Sequence, residues 1–491
     1  MNKLRPTLNF ALAIFSGVLL VLAFPNWNLF WLAPFALTPL LIALAREPRP
    51  LQRFLLGHAA GNVYWFGLCY WIQFVLEVHG GMGRWGGWGT FVLFSLIKSL
   101  HLGLFALLAA IVIRKWYAIP AAAALWTAIE RTHGDFGFAW LCLGNAGIDL
   151  ALPMRLAPWV GVYGLSFLFV MMATGATGVL LKRPRKQLLW LMAIPALLLL
   201  PPLAAPEAGS EIAVLVQPNV PEDREWTPAL TAELHRMLAR RSFETATQFN
   251  ARLIIWPEAP APLYYYRDSA FRDLTAKLAR DTQAWLLFGT VANTDRGAPL
   301  NSAVLLTPKG ELVDRYDKIN LVPFGEFVPE AFSFVNRVTQ EAGDFAAGTR
   351  LIDLAMGTHK IGTFICYESA FPQAVRQFVK GGADVLVNIS NDGYFGHSGA
   401  RDQHLSIVRM RAAENRRWIL RATNNGITAS IDPAGRVIQD LPGYMEGAGA
   451  FRYSFESGKT AYTEYGDWFA WGCWALGAAA LFASQWPHYK R

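Results

Sequence analysis

The chain has 491 residues, enough for two or three domains, and 53% are apolar and only 16% charged, with 19 Trp and 32 Phe. That balance excludes a disordered chain and points to a membrane protein. The net charge of +8 is uneven: residues 208–460 hold 27 Lys and Arg against 28 Asp and Glu, so the basic excess lies elsewhere and reports membrane topology, not nucleic-acid binding.

Apolar runs long enough to cross a hydrocarbon core of about 30 Å occupy Leu8 to Phe24, Leu29 to Ala45, Phe54 to Leu76, Gly89 to Ile113, Ala157 to Leu181 and Leu188 to Ala204. Weaker ones at Tyr117 to Ile129 and Trp468 to Trp486 bring the expected number to eight. Lys3 and Arg5 before the first run suggest a signal peptide. No small-x-small cleavage site follows Phe24, so the run reads as a retained helix. The basic residues at the N-terminus, after span two (Arg46, Arg49, Arg53), after span four (Arg114, Lys115), after span six (Lys182 to Lys186) and at the C-terminus share one side. By the positive-inside rule that side is cytoplasmic, which places the large insert between spans seven and eight outside.

The expected organisation is 1–207 transmembrane, 208–460 an extracytoplasmic domain and 461–491 a last helix with its tail, with Pro201 to Ser210 and Glu456 to Asp467 as linkers. Within the insert, short β-rich runs (EIAVLVQPN, RLIIWPE, AWLLFGTV, NSAVLLT, KIGTFICYE, DVLVNISND, WILRATNN, ITASIDP) alternate with helical patterns at Pro228 to Asn250, Asp268 to Thr282, Ala370 to Lys380 and Gln403 to Arg416. That alternation predicts an α/β sandwich with functional residues on the loops after strands. No sequence repeat is visible. The Gly-rich His79 to Gly89 lacks the Lys and Ser or Thr of a nucleotide loop and reads as a flexible or re-entrant segment lining a lipid entrance.

Cys366 is the single cysteine of the insert, directly after an apolar run; Cys69, Cys142 and Cys473 lie in the apolar segments at either end. A thiol with no disulfide partner in an exported domain is a candidate nucleophile. Glu258 in ARLIIWPEAP and Lys318 in VDRYDKINLVPFGEFVP stand at similar positions, with Trp256 and Pro257 set to desolvate the carboxylate. Carboxylate, ammonium and thiol supply the base, oxyanion stabiliser and nucleophile of acyl transfer. Each alone also has a bland reading: a solvated loop acid, a surface charge, a small buried hydrophobe.

WPE, DKxxLVPFGE, CYE and SNDGYFG together resemble the nitrilase superfamily, and the membrane-flanked form is similar to the apolipoprotein N-acyltransferases, a likeness extended by LWTAIERTHGDFGFAWLCLG and RLAPWVGVYGLSFL. The resemblance implies an αββα nitrilase-like domain with Glu258 as general base, Lys318 on the oxyanion and Cys366 as nucleophile. Trp226, Glu326, Tyr367 and Glu368 also match, as supporting or substrate-binding residues; Tyr394 stands where the family often has Trp, at the wall of the lipid pocket. It further implies a glycerophospholipid acyl donor, a thioester on Cys366, and transfer to the α-amino group of a diacylglyceryl-modified apolipoprotein at a bacterial inner membrane, the domain facing the periplasm and both termini cytoplasmic. A membrane-tethered amidase acting on a small amide would use the same three residues.

His397 and His404 lie near Asp392 and Asp402 without recognised ligand spacing, so no metal or cofactor is expected. Lys98, His101, Glu130 and Arg131 fall in apolar runs, where charge marks a functional group or a helix-pairing one. The charge-dense Arg409, Arg411, Glu414, Arg416 and Arg417 read as a structural helix, with a phosphate-facing arginine as the alternative.

Overall fold

The computed structural model describes residues 4–136, 138–203, 208–222, 224–258, 263–323, 325–327 and 345–485. Two compact units emerge: Met1–Gln73 with Trp85–Leu203 and Tyr465–Arg491, and Phe74–Arg84 with Ala204–Glu464.

The first unit is helical. Helix Pro50–Leu68 packs against Leu4–Leu22 and Leu100–Val112, and Ala118–Arg131 against Ala157–Leu180 and Trp468–Gln485. Close backbone approach contributes to the packing of these helices. A Cβ on Gly57 would sit 2.3 Å from the Leu102 carbonyl oxygen, so only glycine lets these two helices meet.

Gly83–Val112 and Pro153–Leu180 are each long and apolar enough to cross a membrane. Other expected spans are shorter or broken. Where one helix was expected over Leu29 to Ala45, a 3₁₀ turn at Phe30–Leu32 precedes a helix at Thr38–Arg46. Over the described part of Leu188 to Ala204, 3₁₀ stretches at Arg185–Ala193 and Pro195–Leu199 replace the expected α-helix, and Pro195, which lacks an N–H, marks the break between them. In Phe54 to Leu76 the long helix stops at Leu68, and a single helical turn at Ile72–Phe74 leads into a π-turn at Val75–His79. Nor is His79 to Gly89 a loop throughout, since a helix begins at Gly83.

The second unit holds two six-stranded sheets. Strands β1 (Glu211–Gln217), β2 (Leu253–Ile255), β3 (Trp285–Asn293), β4 (Pro299–Leu306) and β5 (Leu312–Asp317) form the first, with β12 (Gly447–Tyr453) beside β1. The second contains β6 (Asp353–Met356), β7 (His359–Ile365), β8 (Val385–Ser390), β9 (Ile419–Thr423), β10 (Thr428–Ile431) and β11 (Val437–Leu441). Both follow one plan: three parallel strands (β1, β2, β3 and β7, β8, β9) flanked on each side by antiparallel ones. The repeat lies in topology and is invisible in sequence.

Helices Pro228–Phe249 and Ser269–Thr282 cover the first sheet, Pro372–Gly381 and Ala400–Asn415 the second, and the sheets meet through β1 with β9 and β4 with β7. The expected αββα layering is therefore present. The first outer core joins Val214, Ile254, Trp256, Phe271, Leu286 and Phe288, all essentially inaccessible. Asp268 caps its helix by accepting from Phe271 N at 3.1 Å, and Thr227 accepts from Leu230 N at 3.3 Å. β5, β6, β11 and β12 escape the sequence reading: β5 (LVDRYD) and β11 (VIQDL) have mixed polarity at a sheet edge, and β6 has four residues.

Candidate active site

Parallel strands deliver side chains at their carboxyl ends, and the αββα plan uses those ends. Glu258 follows β2, Cys366 follows β7, and Asn391 and Asp392 follow β8; Lys318 follows the antiparallel β5.

Glu258 is 7% exposed and Lys318 1%. Glu258 Oε1 accepts from Lys318 Nζ at 3.2 Å and from Asn301 Nδ2 at 2.7 Å; Oε2 accepts from the Asn391 backbone N–H at 2.9 Å. Lys318 Nζ also donates to Glu326 Oε1 at 2.9 Å, and Asn301 Nδ2 to the same oxygen at 2.7 Å. Burial works against the lysine charge, yet Glu258 and Glu326 outweigh it and hold the ammonium well above the usual lysine range. Lys318 is thus a fixed cation.

Cys366 is 5% exposed and begins a 3₁₀ turn with φ +48°. A non-glycine residue in that region carries strain of about 1–3 kcal/mol, which the surroundings must hold. Burial, then the charge on Glu258, pushes the thiol well above its ordinary value, with Lys318 pulling the other way. The shift favours the protonated sulfur over the thiolate.

Glu368, 2% exposed, is anchored at both oxygens. Oε1 accepts from Tyr316 Oη at 2.8 Å and from Ile319 N and Asn320 N at 2.8 and 3.1 Å; Oε2 accepts from Ile365 N at 2.8 Å. It ties the segment after Lys318 to the strand that ends at Cys366. Glu326 Oε2 likewise accepts from Val322 N at 2.8 Å, closing its own loop on Lys318.

Tyr394 stacks on His79 with ring centroids 4.0 Å apart. Its hydroxyl lies where a Cβ on Gly325 would be 2.7 Å away, so glycine permits the approach. Burial, then the charges of Glu326 and Glu222, holds the phenol well above its usual range and keeps it a donor. Tyr367 is buried with its ring edge-on to Phe371. Trp226 packs against the apolar core under the first sheet. The structure therefore joins Glu258, Lys318 and Glu326 in one bonded network through Asn301, holds the segments at Lys318 and Cys366 together through a separate set of bonds to Glu368, sets Tyr394 beside Gly325, and leaves Trp226 on the core.

Asn301 escapes the sequence reading, since NSAVLLT shows only a strand; it is the donor shared by Glu258 and Glu326. The charge-dense helix is structural: Arg411 and Glu414 pair while buried, Arg409 Nε donates to Gly435 O at 2.7 Å, and Arg417 Nε to Ala383 O at 2.8 Å. Among the described residues no cluster of three or more His, Cys, Asp or Glu could hold a metal ion.

Two stacked sheets with an acid, a lysine and a thiol at strand ends define a nitrilase-type domain, and residues 212–448 match the Carbon-nitrogen hydrolase family. Residues 16–175 match the Apolipoprotein N-acyltransferase N-terminal domain. The Apolipoprotein N-acyltransferase of Geobacter metallireducens is 34% identical over 503 residues, covering 97% of this chain and 95% of that protein. That of Methylococcus capsulatus is 33% identical over 495 residues, covering 96% of each. The chain belongs to the apolipoprotein N-acyltransferase family. A solved amidase of the nitrilase superfamily from Nesterenkonia AN1 aligns at TM-score 0.41 and 19% identity over 55% of this chain and 99% of its own.

Proposed function

We propose that this enzyme moves a fatty acyl chain from a membrane glycerophospholipid, through a thioester on Cys366, to the α-amino group of a diacylglyceryl-modified apolipoprotein. The observation that carries the reading is the buried Glu258–Lys318 pair, set with the strained Cys366 turn in a chain that matches the family along nearly its whole length.

Glu258 takes the thiol proton as sulfur attacks the ester carbonyl, and the electron pair of the C=O bond moves onto oxygen. Lys318 and the Tyr367 N–H hold that oxyanion. Collapse breaks the C–O bond, and Glu258 returns the proton to the departing lysophospholipid. In the second half the amine attacks the thioester, Glu258 takes the amine proton, the C–S bond breaks and the proton passes to the thiolate. Glu326 holds Lys318 in place, and Glu368 fixes the geometry between lysine and thiol. A thioester resists water better than it resists amines, so the acyl group waits for its acceptor.

Both substrates lie in a bilayer, and we place the catalytic unit on the periplasmic side of the bacterial inner membrane with eight crossings and both termini cytoplasmic. The asymmetry of the basic loops supports this.

Mass spectrometry after incubation with phospholipid should show one acyl chain on Cys366, discharged by a diacylglyceryl-cysteine peptide. Release of free fatty acid, with no acyl-enzyme and no acylated peptide, would favour the amidase. Topology has its own check. With the four native cysteines buried, Arg296→Cys should label with an impermeant thiol reagent from outside the inner membrane and Pro184→Cys should not; the reverse pattern overturns the orientation.

A further inference from the structure

Behind the nucleophile lies a buried polar cluster that the steps above do not use. His404, on helix Ala400–Asn415, is inaccessible to solvent. Its Nε2 lies 3.0 Å from the carbonyl oxygen of Cys366 and 2.9 Å from Ser369 Oγ. Nδ1 lies 2.9 Å from Asp392 Oδ1 and 3.2 Å from Arg421 Nη2. Asp392 is held in turn by Ser390 Oγ at 2.8 Å and by the Arg421 guanidinium, which also binds Asn388. Asp392, Arg421, Ser390 and Asn388 are at most 2% exposed.

A cluster this closed binds no substrate, but it grips the one peptide that matters most. The Cys366 carbonyl can only accept, so it is the Nε2 proton of His404 that reaches it. In a trans peptide the C=O and the following N–H point in opposite directions. Fixing the Cys366 carbonyl on the His404 side therefore aims the Tyr367 N–H the other way. Cys366 stands at φ +48°, a conformation that persists only when neighbours hold it. A hydrogen bond to the carbonyl also polarises the peptide and strengthens its N–H as a donor.

We propose that His404, braced by Asp392 and Arg421, is a positioning residue that aims the Tyr367 N–H at the oxyanion formed when Cys366 attacks an acyl carbon. The inference rests on Cys366 being the nucleophile. It assigns His404 no proton transfer.

The test compares two reactions of the same sulfur in the purified full chain. Acylation by a p-nitrophenyl fatty ester passes through an oxyanion; alkylation by iodoacetamide displaces iodide at a saturated carbon and forms none. His404→Asn keeps an amide near Asp392 but falls short of the Cys366 carbonyl, whereas His404→Gln reaches it. His404→Asn should slow the p-nitrophenol burst about 10²-fold, the usual loss for one oxyanion donor, with KM unchanged and alkylation within about twofold. His404→Gln should recover at least tenfold of that loss. Acylation and alkylation falling together, or Asn and Gln variants behaving alike, would overturn the inference. Should His404→Asn not fold, Asp392→Asn, which loosens the other side of the ring, carries the same comparison: the ratio of acylation to alkylation must fall. A burst that survives Cys366→Ala would sink the nucleophile assignment itself and this inference with it, whereas the His404 comparison can fail while that assignment stands.

Discussion

Each unit buries a lysine and a glutamate, and their partners differ. In the helical unit Lys98 Nζ donates to the Phe138 carbonyl at 2.8 Å and lies 5.0 Å from the Trp65 ring centroid. Glu130 Oε1 accepts from Leu143 N at 2.7 Å and Trp126 Nε1 at 3.1 Å. In the catalytic unit Lys318 bonds to both Glu258 and Glu326, Asn301 bonds to the same two carboxylates, and the Glu258 charge acts on the Cys366 thiol. Charges tied to main-chain and indole groups brace irregular segments between helices. Charges tied to other titratable groups, near a thiol, form the arrangement that the proposed proton transfer needs. Depth of burial alone does not separate the two cases, but the identity of the partners does.

The largest effect is expected at the thiol. Cys366→Ala and Cys366→Ser should leave no acyl-enzyme detectable by intact mass while expression and membrane insertion stay normal, because an alkoxide is far harder to generate than a thiolate. Substantial activity in either variant would remove the catalytic unit from the contrast altogether.

Next come the two charges. Glu258→Gln should slow both half-reactions, by about 10²- to 10⁴-fold for loss of a general base. Lys318→Ala should slow acylation about 10²- to 10³-fold. Glu326→Ala sharpens the assignment: its oxygen touches Lys318 and Asn301, so acyl-enzyme should still form about tenfold more slowly, the effect of about 1.4 kcal/mol. Absence of acyl-enzyme in that folded variant would place Glu326 alongside Glu258. Rapid-quench measurement of each half-reaction decides both points.

A smaller effect is a matter of sign. Burial and the Glu258 charge raise the Cys366 thiol above its ordinary value, so the thiolate fraction is still climbing where a free cysteine is already ionised. Iodoacetamide alkylation should keep rising with pH beyond about 9, past the ordinary thiol range. A plateau near neutral pH would mean a preformed thiolate and remove the need for Glu258 in the attack.

The smallest effect is expected in the helical unit. Lys98→Met and Glu130→Gln should lower thermal stability by about 1–3 kcal/mol, the range for an unsatisfied buried partner, and leave the acylation rate of the folded protein within about twofold. A rate loss beyond tenfold with stability unchanged would erase the distinction between the units.

The class was legible in the residues alone, because WPE, DKxxLVPFGE, CYE and the apolar runs are local signals that survive without coordinates, and the same motifs put forward Glu258, Lys318 and Cys366 as candidates. Four of the expected helices lie within about three residues of their observed bounds, since caps and periodicity are also local. What those residues touch depends on the packing of distant segments. Asn301 bridging two carboxylates, Glu368 joining the Lys318 and Cys366 segments, and His404 behind the nucleophile are pairings across 25 to 49 positions of chain, and no local window on the sequence contains both partners. The broken second and seventh apolar runs went the same way. Hydropathy measures whether a segment prefers an apolar environment, whereas proline placement and packing decide whether its backbone closes an α-helix.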